Sequence, residues 1–185
     1  MSETQLRRLA TEPLGPNYIP SLQQTTPQIL WIGCSDDNFK ECTMLNILDD
    51  ELLVLTNIGN MIIDGDLSCD ITIEHAVVDL QVKHILVCGH YGCRIVKATA
   101  RDGLKGPWLS KLNALHLAHE DINQLPVSER DRAFVELNIL DQMHSLRRLP
   151  QVANAIALGR LRIHEIVYDP ETEKAYRLSE GQQNP

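Results

Sequence analysis

Three short apolar runs constrain this chain more than any other feature: Ile29–Ile32, Leu52–Leu55 and the stretch inside His84–Cys88. A strand that is apolar on both faces has to be covered on both, and a parallel sheet under helices provides that cover. Each run is bounded by residues that stop a strand. Pro27 and Gly33 flank the first, Asp49-Asp50-Glu51 and Thr56-Asn57 the second, and Gly89 ends the third. Leu161–Tyr168 reads as a fourth strand. After the turn residues Asp169–Thr172, Ala175–Leu178 reads as a short fifth strand pairing back on it. Between the strands lie segments with helical spacing. Asp70–Val82 places Ile73, Ala76, Val77 and Leu80 on one face, and Leu109–His119 and Ser128–Leu149 follow, the last ended by Pro150. The predicted class is α/β: a four-stranded, mainly parallel sheet with a short antiparallel fifth strand and helices on both faces.

The first 28 residues depart from this alternation. Pro13, Gly15, Pro16, Pro20 and Pro27 make residues 1–28 an irregular N-terminal arm, opened by a short helix near Thr4–Ala10. Residues 29–185 are then a single domain, and the arm is expected to lie on it or on a partner subunit. The 185 residues are 43% hydrophobic, enough for one real core. A formal charge of −8 argues against sequence-independent nucleic-acid binding. No apolar run approaches the roughly 18 residues of a membrane span, and residues 1–15, which hold no apolar stretch, are not expected to be a secretory signal. Five cysteines without an export signal are expected as thiols or metal ligands in a reducing compartment, the cytoplasm.

In parallel sheets the loops at the carboxyl ends of strands carry the chemistry. Cys34 follows one strand directly, and His90 and Cys93 follow another in an H-x-x-C spacing. Two thiolates and one imidazole are a known catalytic zinc set, with a fourth position left open. The residues alone leave a second reading, in which both cysteines are buried small hydrophobes. A Cys34–His90 thiol dyad leaves Cys93 without a role. His116 and His119 read as exposed helix-face residues. His75, His84, His144 and His164 read as packing or surface groups, and Cys42, Cys69 and Cys88 as buried thiols. Asp49-Asp50-Glu51 reads as a solvated turn. No G-x-S-x-G, Walker or G-x-G-x-x-G pattern is present.

Cys34-Ser35-Asp36, then Asn57-Ile58-Gly59-Asn60, then Cys88-Gly89-His90-Tyr91-Gly92-Cys93 resemble, in order, the three motif blocks of the β-class carbonic anhydrases. The resemblance runs from about Ile29 to Leu178, with its strongest block at Thr72–Val96. It implies that fold, one Zn2+ per chain bound by Cys34, His90 and Cys93, and a homodimer or higher homo-oligomer whose arm embraces its partner. It also implies that Asp36 either pairs with an arginine two residues later or becomes a fourth zinc ligand. That arginine position is Asn38 here. The second block has Thr56 in place of its usual arginine, Tyr91 and Arg94 replace small residues around Cys93, and Glu165 follows His164. Asp36 is therefore expected to be free, as a general base or exchangeable ligand. Asn38, Ile58, Gly59, Tyr91 and Arg94 are expected to line a reshaped substrate pocket. The expected function is a zinc-dependent lyase with an altered small-molecule substrate. Its sharpest form is a cyclopenase-type ring contraction that expels methyl isocyanate in fungal secondary metabolism. The alternatives are a carbonic anhydrase hydrating CO2 with an unusual Asp36 partner, and a non-catalytic zinc-stabilised dimer.

Overall fold

The computed structural model describes residues 9–63, 65–97 and 107–179. Its strands are β1 (Ala10–Pro13), β2 (Ile29–Cys34), β3 (Leu52–Asn57), β4 (His84–His90), β5 (Arg162–Asp169) and β6 (Lys174–Ser179). They form one six-stranded sheet in the order β1-β6-β5-β4-β2-β3. The four strands β3, β2, β4 and β5 are mutually parallel, and β6 is antiparallel to β5. The predicted α/β class holds, with one more strand than expected.

That strand comes from the arm. Ala10–Pro13 pairs antiparallel with Tyr176–Ser179, so Ala10 is extended, not helical; residues 4–8 of the expected helix lie outside the described residues. Pro13 is tolerated because β1 is an edge strand, where the missing N–H costs no ladder bond. The following residues are packed down as well, with Ile19 fully buried.

Alternation across the central strands separates two cores. Leu30, Ile32, Cys34, Ile85 and Val87 face α2 (Leu67–Glu74) and the helices after β4. Ile29, Trp31, Leu86, Cys88 and Ile166 face the arm and the short α1 (Glu41–Leu45). Beyond residue 106 the described helices are α3 (Pro107–Ala118), α4 (Glu120–Asn123), α5 (Val127–Arg148) and α6 (Pro150–Ala157). Pro150 does more than end α5: it is the first residue of α6, where a missing N–H costs nothing. Helix α2 is capped by Asp66, whose carboxylate accepts from the amides of Ser68 and Cys69. It runs on into one π-helical turn, His75–Asp79.

Three sequence expectations are corrected here. The run Leu52–Leu55, read as buried on both sides, is the free edge strand β3, and its Val54 is 44% exposed. Glu51 is not solvated; it has no exposed surface. Its carboxylate accepts from Ser21 Oγ and the Leu22 amide at 2.6 Å, Gln28 Nε2 at 2.7 Å and the Leu48 amide at 3.1 Å. These bonds make burial of a charge tolerable and tie the arm to the start of β3. His116 is buried against Phe134, with ring centroids 3.6 Å apart, because α3 turns that face onto α5. His84 and His164 are packing groups, hydrogen-bonded to each other at 3.0 Å, with Tyr18 of the arm on the far side of His164 at 2.9 Å.

Candidate metal centre

Strands β2 and β4 are parallel neighbours, so their carboxyl ends place Cys34 and His90 side by side. After His90 the chain turns and becomes helical at residues 94–97, which returns Cys93 to the same point. The candidate ligand atoms of Cys34, His90 and Cys93 all lie within 4.8 Å of one another, and the three residues are buried. The two sulfurs are 3.9 Å apart, and both thiols are free. Two sulfurs on one tetrahedral zinc, each at roughly 2.3 Å, lie about 3.8 Å apart. The donor set and its spacing therefore fit zinc.

The surroundings suit the ligand forms of these side chains. The Cys34 sulfur accepts backbone N–H bonds from Gly59 at 3.3 Å and Asp36 at 3.4 Å. Its pKa is lowered chiefly by the hydrogen bond from Cys93 and further by these amides, against the opposing effect of burial. Cys93 is pushed the other way by the same contact with Cys34 and by burial. A dication held by the two sulfurs would take both as thiolates. Burial lowers the His90 pKa, which favours the neutral ring that a metal needs.

Asp36 stands beside this cluster, with Oδ2 3.8 Å from His90 Nε2. It is not free. Arg94 donates from Nε at 2.6 Å and from its backbone N–H at 2.8 Å, and its Nη2 also meets Oδ1. The Arg94 side chain is largely exposed while the Asp36 side chain is 10% exposed, so the guanidinium closes over the carboxylate from the solvent side. Its hydrogen bond holds the Asp36 pKa below the ordinary carboxylate value, outweighing burial. The expectation that Asn38 leaves Asp36 without a cation is corrected: the arginine comes from after Cys93 instead of from position 38. Asn38 is exposed nearby.

A cleft of about 690 Å³ opens over Asp36 and His90, with Asn38, Tyr91, Arg94 and Tyr168 among the residues on its wall. Two expected pocket residues are not on that wall. Ile58 is 49% exposed elsewhere, and Gly59, at φ +74°, serves through its amide on Cys34. Tyr91 reaches the cleft only in part. Its hydroxyl donates to Glu136 at 2.6 Å, and the Arg132 guanidinium lies 3.5 Å from its ring centroid. Arg132 also meets Asp169 at 3.2 Å. Sequence reading missed Glu136, Arg132 and Asp169. Their only signal is charge on the inner side of a long amphipathic helix and at a strand end.

The family model described as carbonic anhydrase matches residues 29–175. A carbonic anhydrase of Emericella nidulans is 36% identical over 126 residues, covering 65% of this chain and 55% of that protein. One from Pseudomonas aeruginosa is 34% identical over 160 residues, covering 79% and 70%. The chain spans only 55% and 56% of the length of the Emericella protein and of its Candida albicans counterpart. Among solved structures, the β-carbonic anhydrase CafD of Aspergillus fumigatus shares 40% identity and a TM-score of 0.81, covering 92% of this chain and 99% of that one. A β-carbonic anhydrase of Sordaria macrospora, described as tetrameric, shares 31% identity and a TM-score of 0.78, covering 83% and 81%.

Proposed function

This chain belongs to the carbonic anhydrase family, and on that premise we propose that it is a zinc-dependent carbonic anhydrase interconverting CO2 and bicarbonate. The observation that carries this reading is the Arg94–Asp36 pair. The expectation of another substrate leaned on an unpaired Asp36 together with the changed residues around the metal ligands, and Arg94, one of those changes, provides the partner that Asn38 lacks. Two guanidinium contacts and a backbone amide leave Asp36 ionised and fixed in direction. A carboxylate so held would be kept off the metal, and Asp36 would accept a hydrogen bond from the nucleophile and orient it toward CO2 in the cleft. Cys34, His90 and Cys93 would hold the zinc, which when bound would supply the Lewis acidity that activates water at neutral pH. Tyr168 and Tyr91 are among the residues lining the cleft.

The isocyanate-expelling ring contraction has no observation of its own once Asp36 is paired. The open cleft also weighs against a purely structural zinc site. The assembly we propose is a homodimer or higher, supported by the free apolar edge of β3 and by the tetrameric relative. The five cysteines are free thiols, which suits the cytoplasm, and no described helix is long and apolar enough to cross a membrane.

The test is stopped-flow CO2 hydration by the zinc-loaded full chain, run beside an assay with cyclopenin, the benzodiazepinedione that the cyclopenase-type ring contraction would consume. Hydration at roughly 10³ s⁻¹ or more, with no turnover of cyclopenin, is the expected result. Hydration indistinguishable from background in protein carrying stoichiometric zinc overturns the reading.

A further inference from the structure

We propose that Asn138 and Gln142 on α5 are positioning residues for the Cys34 thiolate, acting through the loop 57–62. This rests on the zinc reading above and extends it to residues that touch neither metal nor substrate. The two side chains lie one turn apart on the buried face of α5, 2% and 0% exposed. Two amides in an apolar helix face are costly unless every polar atom is used. Here their partners lie largely on one loop. Gln142 Oε1 accepts from the Ile62 amide at 2.8 Å, Gln142 Nε2 donates to Asn138 Oδ1 at 2.9 Å, and Asn138 Nδ2 donates to the Gly59 carbonyl at 2.9 Å.

The donor directions in this chain are forced. The Ile62 amide can only donate, as can the ammonium of Lys111, which reaches the same Gln142 oxygen at 3.3 Å. The oxygen of Gln142 must therefore face the loop and its NH2 must face Asn138. Asn138 must then accept with its oxygen and offer its NH2 to Gly59. Flipping either amide sets donor against donor. Lys111 anchors the outer end through Ser145 at 2.6 Å and the Ile62 carbonyl at 3.1 Å.

The loop transmits this to the metal site. The Asn57 side chain clamps both the amide and the carbonyl of Met61 at 2.7 Å. Gly59 adopts the left-handed conformation that L side chains resist. With its carbonyl held by Asn138, its N–H is aimed at the Cys34 sulfur. Helix α5 can approach because β4 carries Gly89 beneath it: a Cβ there would stand 2.9 Å from Ile139 and 3.3 Å from Val135. A fixed amide on a ligating sulfur sets the charge that the thiolate gives the metal and keeps its lone pairs in place.

The experiment uses the full chain and its variants Asn138→Ala, Asn138→Ser and Gln142→Glu. Zinc affinity is read by competition with a chromophoric chelator. In the Co(II)-substituted protein the thiolate-to-metal charge-transfer band is recorded. Val152→Ala, a buried change on α6 away from the loop, controls for lost stability alone. Asn138→Ala is expected to weaken zinc binding about 10- to 100-fold and to move the charge-transfer band to longer wavelength, as a sulfur without its N–H bond becomes more electron-rich. Asn138→Ser, which keeps a shorter donor, should fall between Ala and wild type. Gln142→Glu, which keeps the acceptor for Ile62 but loses the donor to Asn138, should move the band the same way. If Asn138→Ala fails to fold, the Ser and Glu variants decide. Wild-type affinity and an unmoved band in the folded variants overturn the proposal, as does an equal shift in Val152→Ala. Wild-type chain that takes up neither zinc nor cobalt overturns the zinc reading itself, and the positioning role with it.

Discussion

Asp36 shows how one substitution can mislead when its compensation lies far away in sequence. Asn38 removes a cation two residues from Asp36, and Arg94 replaces it from 58 residues away. If the pair is what makes Asp36 useful, Arg94→Ala should lower kcat/KM for CO2 hydration by about 10- to 100-fold, the range for losing an outer-shell partner of a metal site, while zinc content stays unchanged. The double variant Arg94→Ala/Asn38→Arg should recover at least half of that loss on a logarithmic scale, because it restores a guanidinium within reach of the same carboxylate. Stopped-flow rates on zinc-matched samples measure both. A double variant no better than Arg94→Ala would mean that Arg94 acts on something other than Asp36.

At the scale of elements, the arm and β3 are joined by one carboxylate. Glu51 accepts four hydrogen bonds, three of them from Ser21, Leu22 and Gln28 of the arm. Glu51→Gln keeps the shape but places an NH2 against donors, so it should cost about 1–3 kcal/mol and lower Tm. Hydrogen exchange should quicken across residues 14–28 before it quickens in β4. The same group sets a pH dependence. Burial raises the Glu51 pKa, but the bonds from Ser21, Leu48, Leu22 and Gln28 outweigh it, and the folded value lies below the ordinary 4.5. The folded state therefore holds fewer protons, and the stabilisation is present above about pH 4.5 and is lost as pH falls through the folded value. Acid should loosen the arm of the wild type, and Glu51→Gln should lack this acid-induced step. Helix α5 makes a related point about legibility. Its apolar periodicity was readable, and so was the i, i+4 spacing of Asn138 and Gln142, but nothing local shows which loop their amides meet.

At the scale of the whole molecule, among the described residues the sheet ends at β3, with no described strand beside its outer backbone groups. Val54 on that strand and Ile58 just beyond it are 44% and 49% exposed. An apolar, uncharged edge invites another chain. Sedimentation should give at least twice 20.9 kDa, and Val54→Lys with Ile58→Lys should shift the chain toward monomer without unfolding it. A wild-type monomer at micromolar concentration would overturn the assembly. By itself the sequence determined the strands β2 and β4, the main helices, and the placing of Cys34, His90 and Cys93 at strand ends, because apolar periodicity and strand-ending glycines are local properties of the backbone. It could not determine that β3 is an edge, that Pro13 ends a strand, that Glu51 is buried, or that Arg94 holds Asp36. Those depend on which segments become neighbours, and neighbours in this fold are set by sheet order across tens of residues. A buried charge or amide is tolerated only where distant partners converge on it, and only the folded chain brings them there.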